Sequence, residues 1–112
     1  MPDHCIVEAG LNCKDFSVSS GTAFFTFENG MGKSITINSV EVKNDALGFT
    51  CTSKSELVLN NGQSGTITAL CSSFGSPNEA KQYKSQLLIN WSNQGSPVYH
   101  VSEGELFTKI SS

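Results

Sequence analysis

Apolar and polar residues alternate along most of this 112-residue chain, and nowhere do they form a long stripe of 3.6-residue period. Phe16 and Val18 alternate with Ser17 and Ser19. Thr22 to Glu28 is aromatic and β-branched and runs into Asn29-Gly30, a strong hairpin signal. Ser34 to Val42 carries Ile35 and Ile37 on one parity and Val40 and Val42 on the other, which predicts a bulge or bend near Asn38-Ser39. Shorter strands are predicted over Phe49 to Thr52, Leu57 to Leu59 and Thr66 to Cys71, with Asn60-Asn61-Gly62 as a turn. The longest regular run is Gln82 to Ser92, and Val98 to Val101 and Leu106 to Ile110 follow it. Ser72 to Ala80 reads as loop. Seven to nine short strands with turn signals every 8–12 residues predict an all-β, immunoglobulin-like β-sandwich.

The pattern also predicts where large side chains go. Trp91, the only tryptophan, lies on the parity of Leu87 and Ile89 and is expected at the centre of the core. Phe24, Phe25 and Phe27 put an aromatic on both faces of one strand. Burial on both faces is the expected outcome, and an outward phenylalanine meeting a neighbour or partner is the alternative.

One domain accounts for the length, over residues 1–112, with 1–13 as an irregular junction segment. Charged residues make up 15% of the chain, against roughly 25% in typical globular proteins. The difference is made up by Ser, Thr, Asn and Gly, which suits strands and tight turns with a neutral polar surface. The net charge is −3, and all seven basic residues are lysines. Without a basic patch or arginine forks, nucleic-acid binding is not expected. No run of 18 apolar residues and no signal-peptide core is present, and Met1-Pro2-Asp3-His4 is no targeting sequence. If the protein is exported, the sequence is expected to derive from a longer precursor.

Cys5, Cys13, Cys51 and Cys71 allow three disulfide pairings. Cys5 and Cys13 lie close together in the junction segment, and Cys51 and Cys71 each end a predicted strand. Local pairing, Cys5–Cys13 and Cys51–Cys71, is therefore expected. Such bridges place the protein in an oxidising compartment, extracellular or at the cell surface. A metal site is not expected, because no C-x₂₋₄-C knuckle occurs and His4 and His100 have no partner at ligand spacing.

Three further motifs have plain structural explanations. Gly30-Met31-Gly32-Lys33-Ser34 looks like part of a phosphate loop, but Phe27 stands where the first glycine is needed and a strand follows. Glu103 and Glu105 share a strand face, yet lack the apolar wall that splits the pKa values of a catalytic pair, and Gly104 marks a bend. Asn90-Trp91-Ser92 is a glycosylation sequon with Asn90 facing outward. No constellation points to an enzyme, and no cofactor is called for.

Pro2-Asp3-His4-Cys5 and Gly10-Leu11-Asn12-Cys13-Lys14-Asp15-Phe16-Ser17-Val18 resemble the start of the soluble part of archaeal type IV pilin-like proteins. The resemblance continues through Phe27 to Gly32 with Ile35-Thr36-Ile37, through Leu59 to Gln63 and Leu88 to Trp91, and on to His100 to Leu106. It covers nearly the whole chain, and its motifs are cysteines, turns and strand pattern. It implies a β-sandwich carried on an N-terminal apolar helix that anchors the precursor in the membrane and then packs into a filament core. Partners would be other copies or related pilin-like subunits, met through that helix, which this sequence lacks. The implied role of the outward domain is structural and adhesive. The alternative is a secreted immunoglobulin-like module that binds a ligand such as carbohydrate, with Tyr83, Tyr99 or Phe74 as an exposed platform.

Overall fold

The computed structural model describes residues 3–8, 10–19, 21–45, 48–53, 55–72 and 81–110. They form nine antiparallel strands: β1 (His4–Val7), β2 (Leu11–Ser19), β3 (Thr22–Asn29), β4 (Ile35–Asn44), β5 (Phe49–Ser53), β6 (Leu57–Leu59), β7 (Ser64–Ser72), β8 (Gln82–Asn93) and β9 (Tyr99–Lys109). The hydrogen-bonded order is β1-β9-β8-β4-β5-β7-β3-β2, with β6 on the edge of β4. Numbering β2 to β9 in chain order reproduces the immunoglobulin plan, one sheet built on β2-β3-β7 and the other on β4-β8-β9.

Two strands make the sandwich nearly a barrel. β5 pairs with β4 and with β7, so it carries the hydrogen-bond path from one sheet to the other. At the far ends of that path, β1 and β2 are joined by the Cys5–Cys13 disulfide. Cys51 and Cys71 are register partners on β5 and β7 and form the second bridge. Both expected pairings are present.

The core fills the space between the sheets. Ala23, Phe25 and Phe27 on β3 face Val40, Val42, Leu87 and Ile89 on β4 and β8, and all seven are fully buried. Phe25 and Phe27 stack with ring centroids 5.6 Å apart. Phe24 is 43% exposed on the other face, so β3 is buried on one face only, contrary to the expected two. The outer face of its sheet carries small polar side chains such as Thr26 and Thr66, whose hydroxyls lie 2.9 Å apart.

Asn29-Gly30 is not a hairpin turn. β3 and β4 do not pair, and the chain crosses there between sheets. The fully buried Asn29 side chain stitches the crossing: Nδ2 donates to the carbonyls of Lys33 (2.7 Å) and Leu59 (3.0 Å), and Oδ1 accepts from Met31 N–H (2.9 Å). The β6–β7 connection meets it, with Gly62 N–H donating to Asn29 O at 2.8 Å. Both glycine-rich segments that signal hairpins therefore form one inter-sheet seam, and strand β4 follows 30–34 where a phosphate loop would need a helix.

The N-terminal segment differs most from expectation. His4–Val7 is a strand paired with β9, not an irregular junction. Gly104 is its counterpart: a Cβ there would lie 2.5 Å from the Ile6 carbonyl oxygen, so only glycine lets β1 approach. β9 consequently runs unbroken through Gly104, and the expected bend is absent.

Asp3 latches the start of β1 in place. Its carboxylate accepts from Gln82 Nε2 and from Thr108 Oγ1 (3.0 Å). The Gln82 bond is the main reason its pKa lies below the ordinary carboxylate value, helped by Thr108 and the Lys109 backbone and opposed by partial desolvation. A lowered carboxylate pKa stabilises the fold above the ordinary value, and that contribution is lost as pH falls through the lowered one. Asp3→Asn should therefore lower the melting temperature by a few degrees at most near neutral pH. In strong acid, where wild-type Asp3 is also neutral, the two proteins should melt together. A gap that persists in acid would show that geometry, not charge, makes the latch.

Candidate functional site

Three of the most exposed apolar side chains, Val98, Tyr99 and Val101, gather at the end of the β8–β9 hairpin. Both faces of this end are built by register. On the inner face, Leu57, Ile37, Trp91 and His100 form one row across β6, β4, β8 and β9. Ile37 is fully buried, whereas Trp91 is half-buried at the rim of the core, which corrects its expected central place. Among the described residues, the row neighbours of Trp91 are Ile37 on β4 and His100 on β9. Its ring stacks on His100 at 4.6 Å, and Nε1 donates to Ser102 Oγ at 2.8 Å.

On the outer face, two adjacent rows form a flat surface. One runs Val58, Thr36, Ser92, Tyr99, and the next runs Ser39, Asn90, Val101. The β4 register shifts between Ile37 and Ser39, where the parity break predicted a bulge. The extra residue, Asn38, is aimed at β8: its Nδ2 donates to Asn90 Oδ1 (3.3 Å) and Ser92 Oγ (3.4 Å). Tyr99 is 65% exposed beside this amide cluster, Val101 59% and Val58 48%.

The surface is electrically neutral. Its own rows hold no lysine, aspartate or glutamate, and Glu41 and Glu103 flank it one row away, opposite Leu88. Glu41 is paired with Lys43 (3.3 Å), and further along the sheet Glu105 meets His4 (3.6 Å) and Lys84 (3.8 Å). The side-chain partners of Glu105 are thus Lys84 and His4 rather than Glu103. Among the described residues, one of several open clefts, of about 410 Å³, lies between Phe16–Val18 and Thr108–Ile110, with Asp3 in its wall.

Of the sequence-derived candidates, the structure brings Asn90 and Tyr99 into adjacent rows and leaves Tyr83 apart. Tyr83 is buried, because it lies on the inward parity at the opposite end of β8 with Lys81 Nζ 5.3 Å above its ring, so it is no exposed platform. Tyr99 is exposed as expected, and Phe74 falls outside the described residues. Asn90 faces outward but sits mid-strand between β4 and β9, and the sequon's Ser92 is buried with its hydroxyl accepting from Asn38. Asn38 and Val101 were not singled out from the sequence as contact residues. The parity break did mark Asn38, but only pairing across β4, β8 and β9 puts it beside Asn90 and Tyr99.

No family model and no curated protein matches the chain. Among solved structures, the chain is similar to the crystal structure of the C-terminal domain of wzt, at 9% identity and a TM-score of 0.50. The match covers 98% of this chain and 78% of that one. At this identity the likeness is one of fold alone.

Proposed function

We propose that this domain is the outward part of a pilin-like surface protein and that its role is structural and adhesive rather than enzymatic. The observation that carries the proposal is the covalent closure of the strand path. Load arriving through the N-terminal side enters β1, which is paired to β9 over four residues. The Cys5–Cys13 bridge passes it at once to β2 in the other sheet, and Asp3 ties the same end to β8 and β9. A domain held this way resists peeling from its attachment point, which a displayed filament or surface subunit requires.

In this reading an N-terminal apolar helix anchors the protein and supplies contacts with copies of itself or related subunits. The two disulfides are compatible with an extracellular location. The test is immunogold electron microscopy of intact source cells with antibodies raised against the folded domain. Gold on the cell surface or along filaments is expected. Label confined to permeabilised cells, or protein found only free in the medium, would overturn surface display. The latter result would favour a secreted binding module.

A further inference from the structure

We infer that the outer face of the β8–β9 end is a binding platform for neutral carbohydrate, with Tyr99 as the stacking ring and Asn38 and Asn90 as the hydroxyl-reading amides. This deepens the adhesive reading proposed above and rests on it for its biological setting, though not for its chemistry.

Four observations converge on this surface. First, the amides have capacity left. Each carboxamide offers two N–H donors and a carbonyl oxygen with two lone pairs. Among the described residues, Asn38 uses its nitrogen and Asn90 its oxygen, and both bonds are long, at 3.3 and 3.4 Å. Asn38 Oδ1 and Asn90 Nδ2 make no further side-chain bond there, so an acceptor and a donor stand side by side. Adjacent hydroxyls of a sugar, each both donor and acceptor, match such a pair.

Second, an apolar wall stands beside the polar pair. Tyr99 is the register partner of Ser92 and Val101 that of Asn90, which places them within about 5 Å between Cβ atoms. A pyranose has a polar rim and an apolar C–H face, so it needs both kinds of contact together, and an exposed tyrosine supplies the ring surface. Third, the rows of the surface carry no formal charge, and at its margin Glu41 is held by Lys43 at 3.3 Å, with Glu103 across from it on β9. A charged ligand would find no opposite charge among the contact residues themselves, which favours a neutral one. Fourth, the groups stand on paired strands rather than loops, and the bulge at Asn38 fixes the aim of its amide, so little ordering is left to pay for on binding.

The surface is flat, so each site should bind weakly, in the millimolar range, and many copies on one surface would raise the avidity. Covalent glycosylation of Asn90 would consume the free donor. The mid-strand position of Asn90 and the burial of Ser92 oppose modification of the folded chain.

The test is an NMR titration of the uniformly ¹⁵N-labelled full chain with three neutral trisaccharides (maltotriose, cellotriose and mannotriose) and a sulfated heparin oligosaccharide as the charged contrast. At millimolar concentration, at least one neutral sugar should shift the side-chain amide resonances of Asn38 and Asn90 and the backbone of Tyr99 and Val101. The heparin probe should shift none of them. Tyr99→Ala should weaken binding roughly tenfold, about 1.4 kcal/mol, and Asn38→Ala should do likewise. Phe24→Ala, which removes an exposed ring on the other sheet, should leave binding unchanged. Absence of shifts at these residues with all three sugars, unaltered binding by folded Tyr99→Ala, or an intact mass of the native protein showing a glycan on Asn90 would each overturn the platform. Surface labelling without sugar shifts would remove the platform alone. Sugar shifts without surface labelling would remove only the display reading.

Discussion

Phe27→Ala is expected to destabilise the domain by about 3–5 kcal/mol, the range for deleting a large buried aromatic. Phe27 is fully buried and stacked on Phe25. Its register partners are Cys13, which is held in a disulfide, and Gly65, which has no side chain to move into the space. A Cβ at Gly65 would lie 3.0 Å from both Leu57 and Leu59, so enlarging it would crowd these leucines. The cavity should therefore persist. Domains of this size are stable by about 5–15 kcal/mol in total, so the variant should be near its limit at 37 °C. Urea denaturation followed by the fluorescence of Trp91, the only tryptophan, measures the loss. Phe24→Ala, three residues away but on the exposed face, should change stability by no more than about 0.5 kcal/mol. Equal losses at the two positions would mean that the inward and outward faces of β3 have been assigned wrongly.

Removal of the second disulfide, as Cys51→Ala with Cys71→Ala, should cost about 3 kcal/mol from the chain-entropy of the loop it closes. That loop spans 20 residues, against 8 for Cys5–Cys13, for which the same relation gives about 2.5 kcal/mol. The burial of Cys51 should add to the difference. The comparison of the two double-alanine variants, by urea midpoint under oxidising conditions, is the informative measurement. A larger loss from Cys51–Cys71 means that loop entropy and the burial of Cys51 together outweigh any native-state gain from closing β1 onto β2. A larger loss from Cys5–Cys13 means that covalent closure of β1 onto β2 stabilises the native sandwich beyond loop entropy, because no hydrogen-bond ladder replaces it there.

The strands themselves were legible because alternation is a local signal: period-2 burial marks Thr22 to Glu28 and Gln82 to Ser92 whatever they pair with. The parity break near Asn38 was legible for the same reason, since a bulge must reverse the faces of everything after it. Glycine-containing turns were located correctly but misinterpreted at Asn29-Gly30. The sequence shows that the chain turns, whereas pairing to the next strand or crossing to the other sheet depends on distant partners. β1 was missed because Cys-Ile-Val is too short to alternate visibly, and its evidence lies 100 residues away in Gly104, whose missing side chain makes room for it.

Local patterning by itself determined the all-β class and the local disulfide pairing, because each depends on residue type and spacing. Tertiary structure alone decided which aromatic is exposed: Phe24 and Tyr99 face solvent, Tyr83 lies in the core and Trp91 at its rim. Parity assigns a residue to a face, but only the opposing sheet decides how far along the strand that face is covered. The candidate platform belongs to the same category. Asn38 lies 52 residues before Asn90 in the chain, and it is the register of β4, β8 and β9 that sets it beside Asn90 and Tyr99.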